Sequence, residues 1–207
     1  MATYVLVHGG CHGGWCWDKV VPLLRKKGHL VEAPDLPGHG EDKTPIQEVT
    51  LQSCVDKVCS VIKPQREPVI LVGHSMGGII ISQVAEQIPD KIKTLVYLTA
   101  VLLKDGDSYG ADFEKWLPTL NLSQDQSSFM NKDEVTAGVF YNDCSAEDIA
   151  HAKTLLGPES VAVFKAPVHL SNDKFGRVPR VYIECLCDHL CLLNFKKQCI
   201  RQHPASG

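Results

Sequence analysis

The feature that most constrains this chain is a rhythm: short strand-like runs, many of them apolar throughout, alternate with longer segments whose apolar residues recur at helical spacing. The first run, Tyr4-Val-Leu-Val-His8, opens into Gly9 and Gly10, and residues 30–33, 69–73 and 92–98 repeat the pattern. Many of these runs lack the alternation of a half-exposed strand and read as strands buried on both faces. Between them, Trp17, Val20, Val21 and Leu24 predict a helix over 15–27 that stops at Gly28. Val55, Val58, Cys59 and Ile62 predict another over 50–62, and a third spans 77–87 before Pro89. Such alternation places the chain in the α/β class, with a mostly parallel sheet and helices on both faces.

The rhythm breaks after Leu103. Helical patterns are expected at 111–117, 132–140 and 146–155, the last preceded by Ser145 with Asp148 three positions on, a helix-start signature. No sheet strand is expected over 104–165, which reads as a helical cap inserted after the fourth strand. Residues 1–103 and 166–207 then form the core, with a strand at 181–185 and a last helix at 190–201.

A chain of 207 residues builds one large core. Its net charge of -3, without a long basic run, argues against a nucleic-acid partner. No apolar stretch reaches the roughly 20 residues of a membrane span. Position 4 already begins a strand pattern, so no leader is expected and the cytoplasm is the expected location. The nine cysteines are odd in number and read mostly as buried thiols in a reducing compartment. Cys185, Cys187, Cys191 and Cys199 cluster near Asp188 and His189, yet no C-x2-C pair is present, which argues against zinc.

The chemistry centres on Gly73-His74-Ser75-Met76-Gly77, a G-x-S-x-G motif between a predicted strand and a predicted helix. Glycines at both ends remove side chains where strand and helix converge. Ser75 is thereby lifted above the sheet at a helix N-terminus, where the Met76 amide can stabilise a developing oxyanion. A second amide is expected from the loop after the first strand, at Gly10. His8 and His74 read as packed, structural residues, and His12 as a hydrogen-bonding residue of the loop. The alternative reading is a tight turn whose serine merely caps the helix.

Val5-Leu-Val-His-Gly-Gly-Cys-His-Gly-Gly-Trp-Cys-Trp17, with Val72-Gly-His-Ser-Met-Gly-Gly78, resembles the α/β-hydrolases grouped with plant methyl esterases and hydroxynitrile lyases. Asp35-Leu-Pro-Gly-His-Gly40 is similar to bacterial esterase-like relatives, and the likeness continues through Ser145-Ala-Glu-Asp-Ile149 and Arg180-Val-Tyr-Ile-Glu184. The resemblance implies a Ser-Asp-His triad in that order, with the nucleophile at Ser75, the acid at Asp188 and oxyanion amides at Gly10 and Met76. It implies no metal or organic cofactor, small ester substrates, and an apolar pocket under the cap. Phe113, Trp116, Leu120 and Phe140 are the candidate lining residues. The lyase branch carries a hydroxyl residue in the first oxyanion loop. Gly9 and Gly10 stand there instead, which favours ester hydrolysis.

The family's catalytic histidine follows one further strand beyond the acid. Past Asp188 this sequence offers His189, which adjoins the acid, and His203. His203 is the candidate base, and a histidine from a partner subunit is the alternative. A working esterase therefore stands beside two other readings. One is a catalytically weak or inactive truncated hydrolase fold binding a small apolar ligand; the other is a carbon–carbon lyase. An uncovered sheet edge at the end of the chain would favour homo-oligomers.

Overall fold

The computed structural model of the chain describes residues 1–186. The expectations for Asp188, His189, His203, Cys187, Cys191, Cys199 and a helix over 190–201 lie outside the described residues. Within them the strands are β1 (Thr3–Val7), β2 (Leu30–Glu32), β3 (Val69–His74), β4 (Ile92–Leu98), β5 (Leu120–Leu122), β6 (Ser128–Asn131), β7 (Glu159–Ser160) and β8 (Arg180–Ile183). Five of them form one sheet in the order β2-β1-β3-β4-β8, parallel throughout.

The all-apolar runs are explained by burial on both faces. Val5 and Val7 of β1, Val69 and Leu71 of β3, and Leu95 and Tyr97 of β4 feed one core, which α2 (Leu51–Ile62) and α3 (Gly77–Gln87) cover. Leu6, Ile70, Val72, Val96 and Leu98 alternate to the other face and pack with Val21 and Leu24 of α1 (Val21–Lys26). On that second face of β8, Val181 and Ile183 are 47% and 46% exposed.

The expected helix over 15–27 is two pieces: a 3-10 turn at Gly14–Trp17, then α1. Pro22 is the cause, since proline is accommodated in a first helical turn but not in an interior. α2 begins where Thr50 caps it, accepting the Ser53 amide while Ser53 reciprocates.

The segment between β4 and β8 departs from a purely helical cap. It holds α4 (Gly110–Trp116), α5 (Asp133–Val135), α6 (Ala146–Leu155) and α7 (Val161–Lys165), but also the antiparallel sheet β5-β6-β7. These strands are two to four residues long, too short for a period of two to show. The helix expected over 132–140 is the short α5 followed by a π-helical turn at Thr136–Phe140. α6 starts as expected, with the Ser145 side chain accepting the Asp148 amide. Cys11, Cys54 and Cys59 are the expected buried thiols, whereas Cys144 and Cys185 are exposed.

Candidate active site

Ser75 occupies the turn from β3 into α3 at φ 50°, the left-handed region that side-chain-bearing residues avoid. The surrounding glycines are needed for close approach. A Cβ on Gly73 would stand 2.7 Å from the Gly77 carbonyl oxygen, and one on Gly77 would stand 2.8 Å from that of Val7. The turn is pinned as well: the Ser75 carbonyl accepts the amides of Gly78 (3.0 Å) and Val101 (2.9 Å).

Sheet register brings the second half of the site to this serine. Val7 lies opposite Gly73, so the loop after β1 and the turn after β3 leave the sheet side by side. A Cβ on Gly9 would meet the Ser75 Cβ at 2.9 Å. Gly10 then reaches an open cavity that is also lined by Ser75. Phe113, Trp116, Leu120 and Phe140 all line it. Tyr109, Phe129 and Phe164 complete an aromatic wall, and Asn131 and Cys11 also line the cavity. Among the described residues, no charged side chain lines it. Met76 is buried at the start of α3, directly after Ser75.

The histidines around the serine are committed elsewhere. His8 is fully buried; its Nδ1–H donates to the Gly9 carbonyl (2.8 Å), and its Nε2 accepts the Leu36 amide (3.1 Å). Burial, with the nearby His39, pushes its pKa down to about 3, so it is neutral. His12 bridges the Gly10 carbonyl (2.7 Å) and the Tyr141 hydroxyl of the cap (2.7 Å), stacked between Trp15 and Tyr141. Burial lowers its pKa too. His74 makes an edge contact with Trp17. These placements suit structural residues rather than a base. The Cys11 thiol, although in the cavity wall, is pushed up by burial and stays protonated.

Sequence reasoning missed Tyr109, Phe129, Phe164 and Asn131, because they lie on or beside short elements without a readable period. It also missed a buried hydrogen-bonded pair behind the loop, His39 Nε2 to Glu159 Oε2 at 3.0 Å. A histidine and a glutamate 120 positions apart carry no local pattern.

Comparison with known proteins agrees with this geometry. The model of the alpha/beta hydrolase family matches residues 4–204. The chain is 34% identical over 208 residues to salicylic acid-binding protein 2 of Nicotiana tabacum, covering 89% of this chain and 78% of that protein. It is 34% identical over 202 residues to methylesterase 1 of Arabidopsis thaliana, covering 88% and 76%. Polyneuridine aldehyde esterase of Rauvolfia serpentina is 32% identical over 94% of this chain and 81% of its own length. A crystal structure of polyneuridine aldehyde esterase superimposes with a TM-score of 0.86 at 30% identity, covering 100% of this chain and 88% of that one. The chain belongs to the alpha/beta hydrolase family. Two of these relatives are named as esterases, which supports carboxylic-ester hydrolase activity.

Proposed function

We propose that Ser75 is the nucleophile of this hydrolase and that its substrates are small, uncharged esters with an aromatic or bulky apolar group, methyl esters among them. The observation that carries this reading is the strained Ser75 at the floor of an aromatic cavity that also exposes Gly10. The Ser75 hydroxyl attacks the ester carbonyl, and the oxyanion takes the amides of Gly10 and Met76. Alcohol leaves, and water releases the acyl group. The aromatic wall binds the apolar group, while the lack of charge among the described lining residues disfavours ionic substrates. The methylesterase relatives support methyl esters.

Asp188 is proposed as the acid that orients the base. It follows β8 by five positions, 188 against 183, and β8 runs parallel to β3, so both segments leave the same end of the sheet. His203 is the proposed base. No metal or organic cofactor is needed, so turnover should be unchanged by EDTA. A cytoplasmic location is likewise a proposal, to be read by cell fractionation. Homo-oligomers through the β8 edge are a further proposal, and sedimentation as a monomer at micromolar concentration rejects them.

The test is hydrolysis of p-nitrophenyl acetate and methyl benzoate by the wild type, Ser75→Ala, His189→Ala and His203→Ala. Loss of turnover by a factor of about 10³ or more in Ser75→Ala and His203→Ala is expected. Loss in His189→Ala instead moves the base. No turnover in folded wild-type protein favours the inactive, ligand-binding reading.

A further inference from the structure

Behind the oxyanion loop lies a buried pair that the chemistry above does not use. His39 and Glu159 are both sealed from solvent, and neither lines the cavity. The His39 ring sits between two acceptors, with Nδ1 at 2.9 Å from the Pro37 carbonyl and Nε2 at 3.0 Å from Glu159 Oε2. A neutral imidazole has one N–H and can serve only one of them. Glu159 is in turn surrounded by donors: Oε2 also accepts the Cys11 amide (3.2 Å), and Oε1 accepts the Ser160 amide (2.8 Å). Both ring nitrogens donate only in the imidazolium, the form for which Glu159 is the counter-charge.

These bonds reach the reaction centre. The Cys11 amide is held by Glu159, and its carbonyl accepts the Gly157 amide at 3.0 Å. Together they hold Cys11 at φ 63°, an uncommon conformation for a residue with a side chain, and so set the direction of Gly10 just before it. Gly10 itself makes room for the carboxylate, since a Cβ there would stand 3.3 Å from Oε2.

Other titratable groups face the pair from every side. They are Asp35 in the loop of His39, His8, Cys11 and His12 in the loop after β1, and Cys54 on α2. Burial holds both of those histidines neutral and both cysteines protonated. Burial also pulls His39 down, but the hydrogen bond and charge of Glu159 outweigh it and raise its pKa above the ordinary imidazole value.

We propose that His39 and Glu159 are positioning residues for ester hydrolysis: Glu159 aims the oxyanion loop through Cys11, and the charged His39 neutralises a carboxylate that would otherwise oppose the oxyanion. This rests on the reading of Ser75 as nucleophile. When His39 loses its proton, one of its two bonds is lost and an uncompensated carboxylate remains behind the loop. The negatively charged intermediate is then disfavoured, while binding of a neutral ester is not. The turnover number should therefore fall on the alkaline side with KM little changed.

Two measurements test this. Nitrogen-resolved NMR of the wild-type histidine rings should show both His39 nitrogens protonated at pH 7. The turnover number for phenyl acetate should decline through the pH at which that signal titrates. Glu159→Gln should lower kcat at pH 7 by about tenfold or more, keep KM within about twofold, and abolish the alkaline decline. A neutral His39 at pH 7, or a Glu159→Gln profile that matches the wild type, overturns the proposal alone. If Glu159→Gln does not fold, a wild-type kcat that stays flat while His39 titrates overturns it just as well. Turnover that survives Ser75→Ala instead removes the nucleophile reading on which the proposal rests.

Discussion

At Ser75 the backbone is bent into a conformation that costs about 1–3 kcal/mol, and neighbouring glycines make that bend possible. Gly78 matters as much as the two glycines of the motif, because a Cβ there would collide with the Val101 carbonyl and stand 2.9 Å from the Ala100 Cβ. Gly78→Ala should therefore cost about 1–3 kcal/mol, read as a lower Tm, and should depress kcat by shifting Ser75. An unchanged Tm and kcat would show that the turn has slack. This part of the site was legible in the sequence because strain at a nucleophile requires glycine at fixed offsets. The partner of His39 was not legible, since Glu159 reaches it only through the tertiary fold.

Among the elements, the parallel sheet was readable because residues buried on both faces leave an uninterrupted apolar run. The cap was readable only where helices are long enough, as in α6 with its Ser145 start. Its sheet was not, for Leu120–Leu122 and Glu159–Ser160 are too short to display a period. The same segment separates two roles among the expected lining residues. Phe113 is 3% exposed and packs with Phe129 and Phe164, so Phe113→Ala should cost about 3–5 kcal/mol in thermal or denaturant unfolding. Trp116 is half-buried, against Phe140 at the cavity wall. Trp116→Ala should instead raise KM for aromatic esters severalfold, with a smaller loss of Tm. Equal effects of both on Tm alone would make Trp116 a residue of the cap core.

At the scale of the whole molecule, two buried histidines pull stability in opposite directions with pH. His8 must stay neutral, and its folded pKa of about 3 lies well below the free value. Stability should thus fall as pH drops below about 6.5, by about 3 kcal/mol two units lower. His39 is the reverse case: its folded pKa is raised, so its contribution is complete below about 6.5 and is lost as pH rises through the folded value. Unfolding free energy from urea titrations across pH 4–10 should therefore peak near neutrality. His8→Gln should blunt the acid side and His39→Gln the alkaline side. A flat profile in the wild type would contradict the buried charge states.

The central claim is that Ser75 is an activated nucleophile opening onto the cavity, and the most direct measurement is covalent capture. Folded protein incubated with a fluorophosphonate should gain one phosphonyl group, mapped by peptide mass spectrometry to Ser75, with hydrolysis of phenyl acetate lost in step. Ser75→Ala should take up none. Folded protein that stays unlabelled, or a label on another residue with Ser75 free, would contradict the account.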